Sequence, residues 1–298
     1  MRIHHLNCGT HCPLGGALFD GSSRGPLASI VTHCLLIETN QGLVLVDTGY
    51  GLQDVRHPHP RISRLMRAVL NIRLRERETA LRQVEQRGFS ARDVRHIVLT
   101  HLDFDHAGGL EDFPQARVHV MESERDAAEN KRRDFAARLR YRPAQWDDVR
   151  DWRAYAAGGE PWFGFDAVRS LDGLPPEILM VPLPGHTLGH AGVALRTDQG
   201  WLLHAGDAYF HHREMNVRHP HCTPGLSAYQ TLLAADRAAR RDNQQRLLDL
   251  KRRHGSQIAI FCSHDAEELK ALQQIADGFN PAPRGGRLPD SARARHPA

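Results

Sequence analysis

THLDFDHAGG, residues 100–109, decides how this chain is read. His101, Asp103, Asp105 and His106 crowd into one short stretch, and Gly108 and Gly109 close it. The run before it, RHIVLT (95–100), has the pattern of a short buried strand and delivers His101 to the strand tip. Alternate residues of an extended or tightly turned segment face the same way, so His101, Asp103 and Asp105 can share a cleft. His106 then opens a helix. Imidazoles and carboxylates are the ligands suited to zinc, iron and manganese. The plain alternative is a capped helix start, with Asp103 or Asp105 as N-cap and the histidines in a loop.

Similar clusters close three further apolar runs. They are His186 in PGHTLGH (184–190), Asp207 in HAGDAYF (204–210) and His264 in CSHD (262–265). Each alone reads better as a loop residue. Together, each after a predicted strand, they point to one site at the strand ends, where open α/β sheets place their chemistry.

The surrounding pattern predicts a layered α/β architecture. Residues 1–7 read as a strand. THCLLIET (32–39) and GLVLVDTG (42–49) read as a hairpin split by NQG. Residues 61–95 carry apolar positions at helical spacing, with Gly88 ending the second helix. Helices are expected over 122–150 and 227–253. Strands are expected at 178–185, 191–197, 200–207 and 257–265, the last running into a helix. Residues 1–280 are expected to form one domain, with a disordered basic tail over 281–298.

Charged residues make up 25% and apolar ones 41% of the 298 residues, ordinary for a globular protein. No apolar run approaches the roughly 20 residues of a membrane span, and the N-terminus has no signal-peptide pattern, so a cytoplasmic protein is expected. Of the net charge of +4, residues 284–298 carry +3 through four arginines and one aspartate. The near-neutral remainder argues against a nucleic-acid partner. KRRDFAARLRYR (131–142) reads as a solvated helix face, or more sharply as a rim for an anionic substrate. Five cysteines without a C-x-x-C pair indicate buried thiols rather than disulfides. Most of the 20 histidines read as surface-loop residues.

Taken in order, THLDFDHAGG, LPGHTLGHAG, LHAGDA and FCSHD, with VDTG at 46–49, resemble the metallo-β-lactamase-fold hydrolases over residues ~30 to ~270. The resemblance implies an αββα sandwich of two mixed sheets flanked by helices. It implies two divalent metal ions, zinc first, manganese or iron as alternatives. Carried over by position, one ion takes His101, His186 and the place of Asp103. The other takes Asp105, His106 and His264, and Asp207 bridges them. Asp47 then supports a ligand loop, and His190 is structural rather than a ligand. The family usually has histidine where this chain has Asp103. The carboxylate binds metal directly, reaches it through a water, or leaves the first site weak and the enzyme mononuclear.

The implied activity is hydrolysis of a lactone or related ester or thioester by a metal-bound hydroxide, with Asp105 orienting it or moving its proton. The long segment 50–95 resembles acyl-homoserine lactonases. Those relatives carry a tyrosine shortly after the bridging aspartate. Here Tyr209 is the candidate, one position short of the usual spacing, which Phe210 holds. The stretch CGTHCPLGG (8–16) is a candidate lid. The alternative from a different class is a di-iron redox protein needing a separate reductase. Expected partners are a small-molecule substrate, neither nucleic acid nor membrane, and a second copy of the chain if the apolar face of the 61–86 helices is not core.

Overall fold

The computed structural model describes residues 1–130 and 135–278. The expected basic tail, 281–298, and part of the 131–142 cluster lie outside the described residues. Among the described residues, thirteen strands form two sheets. The first sheet holds β1 (Arg2–His11), β2 (Ile30–Thr39), β3 (Gly42–Val46), β4 (Ile72–Arg73), β5 (Val94–Val98), β6 (Arg117–Met121) and β7 (Trp152–Tyr155). Its order is β4-β1-β2-β3-β5-β6-β7. The second holds β8 (Glu160–Trp162), β9 (Phe165–Ser170), β10 (Ile178–Pro182), β11 (Ala191–Thr197), β12 (Gly200–His204) and β13 (Ile258–Phe261). Its order is β13-β12-β11-β10-β9-β8. Both sheets are mixed: β3, β5, β6 and β7 run parallel, as do β12 and β13, while the hairpins are antiparallel.

The layers follow from side-chain alternation along the strands. Leu35, Ile37, Val44 and Val46 face the second sheet and pack with Met180, Val193, Leu195 and Phe261. Their neighbours Cys34, Leu36 and Leu45 face outward and pack with Val84 and Ala128 from the helices Ala80–Gln86 and Glu122–Asn130. On the other side, Val181, Ala194 and Leu203 pack against Leu247 and Leu250 of the helix Arg237–His254. A strand covered on both faces reads as a continuous apolar run, and β2 is buried at eight consecutive positions. The result is the expected αββα sandwich.

Local readings differ from the structure in several places, and His106 lies in a tight turn rather than opening a helix. The 61–95 stretch is not all helix: β4 separates Arg64–Val69 from Ala80–Gln86. The strands β7, β8 and β9 were not anticipated, because they are short and carry Arg, Asp and Glu among their aromatics. β1 continues to His11, so most of CGTH (8–11) is sheet rather than part of a flexible lid. Many histidines are also core residues. His5 Nδ1 lies 2.8 Å from His33 Nε2, and His204 Nε2 donates to the His33 carbonyl at 2.7 Å. Burial pulls His5 down to about 4, so the imidazoles sit between the sheets as neutral, hydrogen-bonded groups.

Candidate metal centre

The site gathers at the ends of β3, β5 and β12, where the chain leaves parallel or adjacent strands. Asp47, directly after β3, sits at φ 56°, a left-handed conformation that Asp tolerates better than most residues. This aims its carboxylate at the tip of β5. Oδ1 accepts from the Thr100 N–H at 2.8 Å, and Oδ2 accepts from Thr100 Oγ1 at 2.7 Å and from His106 Nδ1 at 2.8 Å. Thr48 ties the same loop, its N–H and Oγ1 both donating to the His106 carbonyl. The paired glycines of the opening motif allow this close approach. A Cβ on Gly108 would stand 2.1 Å from Asp54 Oδ2.

These bonds fix the tautomers of two imidazoles. His106 Nδ1–H donates to Asp47. Thr100 Oγ1 donates its own proton to Asp47, so it accepts from His101 Nδ1–H at 2.9 Å. Both Nε2 atoms therefore present lone pairs. His101 Nε2, His106 Nε2 and Asp207 Oδ1 are buried and have no hydrogen-bond partner. Donor atoms of these three residues lie within 4.8 Å of one another. Buried polar atoms left unpartnered are costly, and a divalent cation is what this donor set accepts. His264 stands beside them, its Nδ1 donating to the Val31 carbonyl at 2.7 Å and its Nε2 3.1 Å from Asp207 Oδ2.

Charge is balanced accordingly. Burial opposes ionisation of Asp207, yet His264, His106 and His186 hold its carboxyl well below the usual range. Burial likewise opposes the charged form of His106, but Asp207 and Asp47 push it up to about 10. The pocket thus favours a positive charge at His106 Nε2, where a metal ion replaces the proton. His101 moves the other way, to about 4, through burial and the neighbouring His106.

The seven expected ligands do converge. His101, Asp103 and His186 form one cluster, His101, His106 and Asp207 a second, and Asp105 and His264 a third with His11. Asp103, however, is fully engaged elsewhere. Arg140 Nε donates to its Oδ1 at 2.7 Å and Arg140 Nη2 to its Oδ2 at 2.7 Å. Burial would raise the Asp103 carboxyl, but Arg140 and His101 hold it well below its ordinary value. His190 is structural, as expected: its Nδ1 donates to the Leu183 carbonyl and its Nε2 accepts the Asp207 N–H at 2.8 Å.

Tyr209 does not occupy the place given to it as a catalytic residue. It is fully buried in the core beneath the second sheet, and its hydroxyl donates to Glu268 Oε1 at 2.9 Å. Neighbouring residues point oppositely here, so Phe210 faces the site instead and stacks on His264 with ring centroids 5.1 Å apart. Tyr209→Phe is therefore expected to cost about 1 kcal/mol of stability, the worth of an ordinary hydrogen bond, and to leave kcat/KM unchanged. Thermal unfolding and steady-state rates check both halves.

Three functional side chains escaped the sequence reading. His11 lies 3.8 Å from Asp105 Oδ2 and 2.7 Å from the Tyr50 hydroxyl. Arg140 came from a cluster read as a solvated face. Glu124 is completely buried, its Oε1 accepting from the Leu102 N–H at 3.0 Å and its Oε2 from the Gly189 N–H at 3.1 Å. It thereby clamps the loop of His101 to the loop of His186. Glu124→Gln would turn one acceptor into a donor facing the Gly189 or Leu102 N–H. A loss of about 1.5 kcal/mol is expected from that mismatch, read by urea denaturation. For Arg140 the available signal was Asp103 itself, since a carboxylate in a histidine position calls for a cationic partner.

Comparison with known proteins agrees with this geometry. Residues 30–248 match the Metallo-beta-lactamase superfamily domain. The chain is 43% identical over 276 residues to a probable metallo-hydrolase of Mycobacterium tuberculosis, covering 93% of this chain and 84% of that one. It is 23% identical over 201 residues to an N-acyl homoserine lactonase of Bacillus cereus, covering 64% and 71%. Among solved structures, an N-acyl homoserine lactone hydrolase with N-hexanoyl-L-homoserine at its catalytic metal centre superposes with a TM-score of 0.66 at 20% identity, covering 91% of this chain and 95% of that chain. No described helix is long and apolar enough to cross a membrane. The protein belongs to the metallo-β-lactamase superfamily and is a hydrolase with candidate His/Asp sites for divalent metal.

Proposed function

We propose that this hydrolase opens a lactone, or cleaves a related ester or thioester, whose acyl part is apolar. The observation that carries the reading is the cleft beside the ligands. Phe19, Ile30, Leu70, Phe210 and Leu226 wall it, and the same cleft carries Asp105, His11 and His264. An apolar wall next to a polar reacting centre is what a small-molecule site needs, though the cleft encloses only about 10 Å³ as it stands and a substrate has to open it. When bound, a divalent ion supplies an activated water at neutral pH and polarises the attacked carbonyl. Zinc suits the imidazole and carboxylate donors best.

The chain's own groups do the remaining work. Burial raises the Asp105 carboxyl, His106 and His264 drawing it back down, so its Oδ2 is suited to take a proton from the attacking water and return it to the leaving oxygen. His11 Nε2 lies 3.8 Å from the same Oδ2 and is itself held by the Tyr50 hydroxyl at 2.7 Å. Tyr229 lines the cleft and fills the role expected of Tyr209, offering its hydroxyl to the substrate carbonyl. Phe210 and Leu226 exclude water from the acyl side.

Lactonase relatives support this choice, and none of the relatives described above is a redox protein. The test is a panel assayed with zinc-loaded protein: short- and long-chain N-acyl homoserine lactones, simple lactones, thioesters, phosphoesters and a β-lactam. Turnover of lactones, rising with acyl length, is the expected result. Turnover confined to phosphoesters or the β-lactam would reject it.

A further inference from the structure

Arg140 stands where a dinuclear site would need room. It projects from the end of the helix Phe135–Arg140 and is 8% exposed. Its backbone is pinned to the ligand loop: the Arg140 carbonyl accepts the Phe104 N–H at 3.1 Å, and Tyr141 bridges Asp103. A guanidinium has five N–H donors, and all five are engaged. Nε meets Asp103 Oδ1 and Nη2 meets Asp103 Oδ2, a two-pronged pair. The other Nη2 proton goes to His186 Nε2 at 2.7 Å. Nη1 donates to the carbonyls of His186 at 3.0 Å and Leu233 at 2.8 Å.

This network takes the one lone pair of His186 Nε2 and ties both oxygens of Asp103, two of the three ligands that a first ion would need. An ion in that position would also sit against a buried positive charge held in place from five directions. Among the described ligand candidates, the unpartnered atoms that face one another are His101 Nε2, His106 Nε2 and Asp207 Oδ1; on His186 it is Nδ1, not the Nε2 held by Arg140, that lacks a partner.

We propose that Arg140 is a resident cation replacing one metal ion, so that the protein holds a single divalent ion between His101, His106 and Asp207. Asp103 is then the counterion of Arg140 rather than a ligand. The inference rests on the metal-centre reading but not on the choice of substrate. The guanidinium supplies fixed positive charge and makes no hydrogen bond to substrate, since no donor is left.

The test is metal stoichiometry. Metal-free full-length protein is titrated with cobalt(II), following visible absorption, and bound zinc is measured separately by elemental analysis after gel filtration. The wild type is expected to saturate at one ion per chain. Asp103→His/Arg140→Leu, which restores a histidine and removes the cation, is expected to saturate at two. Two ions in the wild type overturn the proposal, as does one ion in both proteins. If the double variant does not fold, the wild-type break point decides: one equivalent supports, two overturns. Failure of the lactone assay with one ion bound would reject the substrate reading and leave this one standing; no ion bound would reject both.

Discussion

Asp207→Ala is expected to lower kcat/KM by about 1,000-fold, roughly 4 kcal/mol of transition-state stabilisation, together with loss of tightly bound metal. Its carboxylate lies 3.4 Å from His106 Nε2, 3.3 Å from His186 Nε2 and 3.1 Å from His264 Nε2, so it is the one anion shared by the whole cluster. Without it, the Nε2 atoms of three imidazoles lose the carboxylate they share, and a cation would lose an anionic ligand. Asp207→Asn keeps the volume and removes only the charge, which separates this effect from packing. Steady-state kinetics and bound-metal analysis on both variants, with thermal unfolding as the control for folding, give the answer. A variant with near wild-type metal content and rate would remove Asp207 from the centre.

Asp47→Ala is expected to weaken metal binding by up to about 100-fold without removing any ligand. Asp47 holds the Nδ1–H of His106 directly and that of His101 through the Thr100 hydroxyl. Those two bonds determine that both Nε2 lone pairs face the ion. Loss of the carboxylate frees the tautomers and the ring angles. Competition against a chelator of known affinity reads the change, and kcat at saturating metal should recover most of its value. An unchanged affinity would show that the ligand loop is held by Thr48 and the glycines alone.

The sequence carried the parts of this molecule that local chemistry dictates. The αββα layering was legible because β3, β10 and most of β2 and β11 are apolar runs that two-sided burial explains. The candidate ligands were legible because their clusters follow such strands. What a single position cannot reveal is which way the chain turns after it. Tyr209 and Phe210 are neighbours, and the register of one residue decides which one faces the metal and which faces Glu268. Arg140 was hidden for a related reason. It belongs to a basic stretch with an ordinary surface pattern, and only the pairing of Tyr141 with Asp103 brings it inward. The buried histidines were misjudged because imidazole is polar by composition yet packs as a neutral group when hydrogen-bonded partners such as His5, His33 and His204 find each other. The short strands β7 to β9 form on an already built edge, so their own sequences need little strand character.

If the cluster around Asp207 is a metal centre that drives hydrolysis, activity must follow the metal. The most direct test is to strip the protein with a chelator, return zinc in steps, and measure bound zinc and the initial rate on a long-chain N-acyl homoserine lactone in the same samples. The expected result is no rate in the stripped protein, a rate proportional to bound zinc, and a flat line for Asp207→Ala. A rate that survives complete removal of metal, or that stays absent at full occupancy across the ester, lactone and thioester panel, would contradict it.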